Sequence, residues 1–289
     1  MMVHMLLRRT ACAPLAARAL SSATDNRPLA GVRAIEMGQL IAGPFTGTIL
    51  AYFGAEVIKI EPPGKGDPIR VWRELDTDGT SPWFRSIGRN KKSVALNLKS
   101  EEGQAIVREL AAKSDVLIEN FRPGTLEKWS LGPESTQTIN PSLIYARLSG
   151  YGQSGPYSSK PGFASVCEAF GGFRHVNGFD DRPPVRPNLS MGDTLAGIHA
   201  ALGVVMALLA REKGKASGRP PTGEVVDVAI YESVFNLMEG IVPECARPRR
   251  PHPPFTKTKA ARCAAEQRSP PPPPGTTARA SCANRPGRL

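Results

Sequence analysis

The sequence predicts an α/β fold, a parallel sheet with helices on both faces. Three observations predict it. Apolar strand-like runs alternate with helix-like runs along most of the chain, the pattern of layered α/β architecture. One early stretch reads strand, glycine loop, helix, strand, which is a βαβ unit and requires parallel pairing. The chain has 289 residues, 40% of them hydrophobic, which is enough for a sizeable core.

The elements follow in order. Leu29 to Met37 reads as a first strand, and Gly38-Gln-Leu-Ile-Ala-Gly-Pro44 as a loop opening a helix over 45–53. Pro44 suits a first helical turn, where its missing N–H is no loss. Gly54 ends that helix, and Glu56 to Glu61 is a second strand. Residues 69–88 read as irregular, and Val94 to Lys99 as a strand. Ser100 caps a helix over 104–113, with acids in its first turn. Asp115 to Phe121 is a strand, two short helical segments run to Asn140, and Pro141 to Leu148 is a strand ending in the glycine loop Ser149 to Pro156. A helix over 163–173 precedes a proline-rich loop. The long apolar helix after Asp193 follows, stopped by Gly214, then a strand over 224–230 and a helix over 231–240.

The net charge of +11 suggests nucleic acid until it is located. Residues 1–25 carry +2 and residues 245–289 carry +9, while 26–244 are neutral. No basic stripe with interleaved aromatics lies in the body, which argues against nucleic-acid binding. The five cysteines, Cys12, Cys167, Cys245, Cys263 and Cys282, show no metal or CxxC spacing, and a reducing compartment fits them best.

The two ends differ from the body. Residues 1–24 hold Arg8, Arg9 and Arg18 among Ala, Leu and Ser, without an acid, and their apolar run is too short for a membrane span. This is the composition of a mitochondrial transit peptide, with cleavage expected just past Arg18 and the mitochondrial matrix as destination. The body is expected over 25–244. Residues 245–289 hold ten of the 28 prolines and lack apolar periodicity, so they cannot bury enough surface to fold. They read either as the product of a shifted frame or mis-spliced end, or as a polyproline ligand for a partner domain.

Candidate chemistry is sparse. Asp193 before the long helix reads by itself as a helix N-cap. Ile41-Ala-Gly-Pro44 allows an anionic ligand to approach backbone N–H groups, though close helix packing explains the glycine equally well. Arg89-Asn-Lys-Lys-Ser93 suits phosphate contacts or a solvated charge run. His199 lies six residues past Asp193, on another helical face, and reads as a core histidine; His175 is isolated. No Ser/His/Asp set, Cys/His pair or metal-ligand spacing is present.

Eight blocks nevertheless occur together. They are Ile41-Ala-Gly-Pro44, Phe53-Gly-Ala-Glu-Val-Ile-Lys-Ile-Glu61, Gly66-Asp67, Asn90-Lys-Lys-Ser93, Asp115-Val-Leu-Ile-Glu-Asn-Phe-Arg-Pro-Gly124, Ser149-Gly-Tyr-Gly-Gln-Ser-Gly-Pro156, Gly192-Asp193 and Val225-Val-Asp-Val-Ala-Ile-Tyr-Glu-Ser233. With this set the body resembles the family III CoA-transferases, the group that includes formyl-CoA transferase, carnitine CoA-transferase and α-methylacyl-CoA racemase. The resemblance is strongest to mitochondrial members that move CoA from succinyl-CoA to a dicarboxylic acid such as glutarate.

The resemblance implies a Rossmann-like large domain, an interlocked homodimer, and acyl-CoA and a carboxylic acid as substrates, with no resident cofactor and no metal. It implies that Asp193 is the catalytic nucleophile, passing through an aspartyl-CoA thioester. It implies CoA contacts at Ile41, Leu96, Asn120, Phe121 and Lys128. Pro62 stands where some members use an arginine. Ile41 replaces a glutamine of formyl-CoA transferase, which disfavours oxalate or formate as acceptor. Phe163 stands where the racemases carry a catalytic histidine, which disfavours two-base proton transfer. Family members run to about 400 residues by this same resemblance; the C-terminal small domain is therefore expected to be missing and the chain to be a truncated form. The remaining alternatives are a racemase-like enzyme and an inactive half-domain with a partner-binding tail.

Overall fold

A computed structural model describes residues 26–179 and 181–246. The segment 1–24, expected from its composition to be a transit peptide, and the 245–289 tail beyond its first two residues, lie outside the described residues.

Six strands form one parallel sheet: β1 (Arg33–Glu36), β2 (Glu56–Glu61), β3 (Lys91–Ala95), β4 (Val116–Glu119), β5 (Ile144–Ser149) and β6 (Val225–Ala229). Their spatial order is β3-β2-β1-β4-β5-β6. All five pairings are parallel, and Ile35 of β1 lies opposite Ile58 of β2 and Leu117 of β4. This is the doubly wound order, with its topological switch between β1 and β4.

The two-residue period of the strands sorts their side chains into two cores. On one face Ala34, Val57, Val116, Ile118, Ile144, Ala146 and Leu148 pack against α1 (Ala42–Tyr52) and a 26-residue helix, Met191–Ala216. On the other, Ile35, Met37, Ile60, Leu117 and Tyr145 pack with Val107 and Ala111 of α3 (Glu101–Ala111) and Leu126 of α4 (Thr125–Lys128). Both faces are covered, as an all-parallel sheet requires. The remaining helices are short: α2 (Pro82–Ile87), α5 (Pro133–Ile139), α6 (Ala164–Phe170), α7 (Phe173–Val176), then after the long helix, termed α8, α9 (Ile230–Phe235) and α10 (Ile241–Ala246).

Several elements differ from their sequence expectation: α8 runs past Gly214 to Ala216, the helix expected over 163–173 is split into α6 and α7, α9 ends at Phe235 rather than at 240, and three further differences bear on the site. Within 69–88, expected to be irregular, α2 forms because Ser81 accepts the N–H of Trp83 and Pro82 opens the helix. The expected 94–99 strand starts three residues earlier as β3, and this moves Lys91 inside. Lys91 Nζ lies 2.7 Å from Glu36 Oε2 and 2.6 Å from the Pro44 carbonyl, so it serves the interior rather than an external phosphate. The third difference is the start of α8, whose N-cap is Ser190, with Asp193 the third helical residue.

Beside Lys91, Lys59 Nζ reaches Glu36 Oε1 (2.9 Å), Asp67 Oδ2 (2.8 Å) and the Gly38 carbonyl (3.0 Å). Burial works to depress Lys59, but the two carboxylates outweigh it and its pKa is raised; Lys91, buried as deeply and facing Lys59 as well as Glu36, is lowered. Gly47 of α1 leaves room for this cluster, since a Cβ there would lie 2.0 Å from Glu36 Oε2. The cluster fixes the end of β1 against the start of α1, where the candidate site begins.

Helix α8 is long and apolar enough in composition to cross a membrane. Here it packs as a core helix, with Ala196, Ala200, Val204 and Leu208 buried against α1 and the sheet. Gly197 permits the close approach, because a Cβ there would sit 3.0 Å from the Ala42 carbonyl.

Candidate functional site

The carboxyl ends of β1 and β4 splay apart at the topological switch, and a crevice is expected there. The β1–α1 loop forms one wall. Leu40 within it takes a left-handed backbone (φ 65°), strained for a leucine. Asp67 holds that strain in place, its Oδ1 accepting the Leu40 N–H at 3.0 Å and the Ile69 N–H at 3.0 Å. Asn120, just past β4, grips the same loop from the other side, accepting the Gln39 N–H (2.8 Å) and donating to the Gln39 carbonyl (2.9 Å).

These loops enclose a cavity of about 190 Å³, lined among others by Gln39, Ile41, Asn120, Phe121, Arg122, Ser149, Lys160, Phe163 and Asp193. A second cavity of about 140 Å³ lies beside it, lined by Met37, Glu61, Pro62, Leu96, Lys99, Phe121 and Trp129 among others. The two share Gln39 and Phe121 and together follow the carboxyl ends of the strands. The Phe121 and Trp129 rings meet edge to face, 5.6 Å between centroids.

The structure therefore brings Ile41, Asn120, Phe121 and Asp193 to one cavity and Leu96 to its neighbour. Lys128, the last residue of α4, is exposed and lines neither. Asn120 spends both polar ends of its side chain on Gln39, so its first effect is to fix the loop.

Asp193 does not act as the helix cap that its position suggests. Its carboxylate makes no hydrogen bond among the described residues, and it opens on the larger cavity. Burial pushes its pKa up to about 7, the charge of Glu168 adds to the rise, and Arg186 opposes it. A carboxylate left unpaired in a cleft, with its pKa in the neutral range, is the pattern of a chemically active group.

Other groups nearby are less suited to covalent chemistry. The Cys167 thiol is buried, contacts the Gly150 carbonyl at 3.4 Å, and is pushed up to about 12 by burial and by the charges of Asp193 and Glu168. This makes it an inert structural thiol. His199 is half-buried rather than the core histidine expected, with Nδ1 2.8 Å from the Leu195 carbonyl of its own helix and Nε2 3.2 Å from Asn236 Nδ2.

Three participants escaped the sequence reading. Ser149, the last residue of β5, lines the larger cavity with a buried Oγ that has no hydrogen-bond partner among the described residues. Lys160 lines the same cavity, from a loop whose fold no local pattern specifies. Glu168 is fully buried in α6. A carboxylate within the apolar run of 164–170 is itself a signal, because buried acids need a partner or a purpose.

With this geometry the comparisons with known proteins agree. The sequence profile described as CoA-transferase family III matches residues 29–264. Over 225 residues the chain is 52% identical to succinyl-CoA–D-citramalate CoA-transferase of Chloroflexus aurantiacus, covering 78% of this chain and 54% of that one. It is 42% identical over 194 residues to succinyl-CoA:glutarate CoA-transferase of Mus musculus, covering 67% of this chain and 44% of that one. The crystal structure of a CAIB/BAIF family protein from Brucella suis superimposes with a TM-score of 0.71 at 32% identity, over 80% of this chain and 63% of that one. The chain spans about half the length of the curated relatives it matches. On the matched span and the shared sheet, it belongs to CoA-transferase family III.

Proposed function

We propose that this chain carries the nucleophilic half of a CoA-transferase site, with Asp193 moving CoA from succinyl-CoA to a dicarboxylic acid. The observation that carries the reading is the free Asp193 carboxylate, held near neutral pKa in a cavity at the switch of the sheet. The names of the relatives, which act on citramalate and glutarate, support a dicarboxylate as acceptor.

The Asp193 carboxylate attacks the thioester carbonyl, the C–S bond breaks, and CoA leaves as thiolate from a mixed anhydride of Asp193 and the acyl group. The thiolate then attacks the aspartyl carbonyl and expels the donor acid, leaving an aspartyl-CoA thioester. The acceptor carboxylate attacks that thioester and again frees the thiolate. Attack of the thiolate on the acceptor's carbonyl gives the new acyl-CoA and restores Asp193. One difficult exchange is thereby split into easier steps. The unpaired Ser149 hydroxyl supports this reading as a donor for a developing oxyanion. The paired cavities suit an elongated thioester, with its reactive end at Asp193 and its nucleotide arm toward Leu96 and Trp129.

Homodimerisation and delivery to the mitochondrial matrix belong to the same proposal. The first is supported by an apolar stripe exposed along α8, the second by the acid-free, arginine-bearing composition of 1–24.

The test is incubation with succinyl-CoA and, separately, citramalate, malate or glutarate, followed by intact-mass analysis. A CoA-sized adduct on Asp193 and new acyl-CoA are expected, both lost in Asp193→Ala. Transfer that persists in Asp193→Ala overturns the assignment.

A further inference from the structure

The first turn of a helix carries N–H groups with no intrahelical acceptor, and the N-cap side chain is their usual partner. In α8 neither obvious residue plays that part. Ser190, at the N-cap, makes no side-chain cap bond, and Asp193 turns its carboxylate to the cavity. The N–H of Gly192 is accepted instead by Glu168 Oε1 from α6, at 3.2 Å. The other oxygen of Glu168 faces Arg174 Nη2 at 3.5 Å and Arg186 Nε at 4.0 Å.

We propose that Glu168 is the positioning residue of the site: it caps α8 from the neighbouring helix in place of Asp193, and its charge stands behind Asp193 on the side away from substrate. The first effect leaves the Asp193 carboxylate free of structural duty. The second keeps that carboxylate basic, and a more basic carboxylate is the stronger nucleophile. This inference rests on the reading of Asp193 as nucleophile.

The charged and titratable groups around Asp193 come from four places. Glu168 and Cys167 stand on α6, Arg186 on the segment before α8, Lys160 on the loop after β5 and Arg122 on the turn after β4. Glu168 and Arg186 act on Asp193 in opposite senses, and burial together with Glu168 outweighs the arginine. A purely structural Glu168 would cap the helix and nothing more. Glutamine separates the two roles, since its amide oxygen can accept the Gly192 N–H but carries no charge.

The test is a carboxyl 13C titration of the full chain, with the Asp193 resonance assigned from its loss in Asp193→Asn. The wild-type midpoint is expected at about 7. In Glu168→Gln it is expected to fall by roughly one pH unit, with the amide of Gly192 still protected from exchange. Glu168→Ala is expected to lose that protection as well. An unmoved midpoint in Glu168→Gln overturns the proposal. Should that variant fail to fold, Arg186→Gln at a half-exposed position is read instead; its midpoint is expected to rise, and no change overturns the arrangement. The titration needs no turnover, so the two ideas fail separately. Transfer surviving in Asp193→Ala removes the nucleophile, whereas transfer lost there with an unmoved midpoint in Glu168→Gln removes only the positioning role.

Discussion

Asn120 and Gln39 are joined by two hydrogen bonds, the Gln39 N–H to Asn120 Oδ1 at 2.8 Å and Asn120 Nδ2 to the Gln39 carbonyl at 2.9 Å. The side chain of one residue thus mimics a strand partner for the backbone of the other. It ties the loop after β1 to the end of β4 across the crevice in which a substrate would lie. Asn120→Ala removes both bonds and leaves two backbone groups to find water. A loss of about 1–3 kcal/mol in stability is expected, read by denaturant unfolding. Looser acyl-CoA binding is expected as well, because the released loop carries Ile41. Unchanged stability and binding would contradict the account.

The raised pKa of Asp193 makes a prediction about stability that needs no substrate. Its folded value of about 7 lies above the ordinary 3.8. Between these values the folded chain keeps a proton that the unfolded chain has released, so stability falls as pH rises across that window. Above pH 7 the full penalty stands. Asp193→Asn removes it, and a gain on the order of 2 kcal/mol is expected at pH 8, shrinking to nothing near pH 4. Equal stability of the two proteins at pH 8 would refute the burial of a charged Asp193.

Glu61 predicts the opposite slope. Burial alone would raise its pKa, but the two-pronged contact of Arg70 (2.6 and 2.7 Å), the Ser93 hydroxyl (2.7 Å) and the Asp67 N–H (2.8 Å) bring it down to about 2 from 4.5. This stabilisation is present above pH 4.5 and is lost as pH falls through 2. Glu61→Gln is expected to be weaker by about 2 kcal/mol at pH 6, and the difference to close on acidification. A gap that stays constant with pH would show that the loss is steric.

Along α8, Ile198, Leu202, Val205, Met206 and Leu209 form one exposed apolar stripe, at helical spacing, on the side away from the sheet. Such a stripe on a free surface drives association. Concentration-dependent dimers are expected by sedimentation, and Leu202→Glu combined with Met206→Glu should return the protein to monomer while leaving the fold intact. A monomer at all concentrations in the parent protein would set aside the homodimer.

Much of the architecture is local in origin, and that part was legible. The alternation of β-rich runs with capped helices required parallel strands with both sheet faces covered; the order β3-β2-β1-β4-β5-β6 was decided by the tertiary fold, since other doubly wound orders cover both faces equally well. The capping of α3 by Ser100, at 3.2 Å to the Gly103 N–H, was visible because donor and acceptor lie three residues apart. Lys91 was misread as surface charge because its partner Glu36 is 55 positions away in the chain, and only the pairing of β3 with β2 beside β1 brings them together.

Asp193 divides along the same line. The sequence by itself determined that an isolated carboxylate stands at the head of a long apolar helix, in a set of blocks shared with a transferase family. It could not determine whether that carboxylate would cap the helix or remain free, because local hydrogen-bond preference favours the cap. Tertiary structure decided it: packing α6 beside α8 hands the cap to Glu168, 25 positions before Asp193, and the crossing of the chain between β1 and β4 opens the cavity that Asp193 then faces.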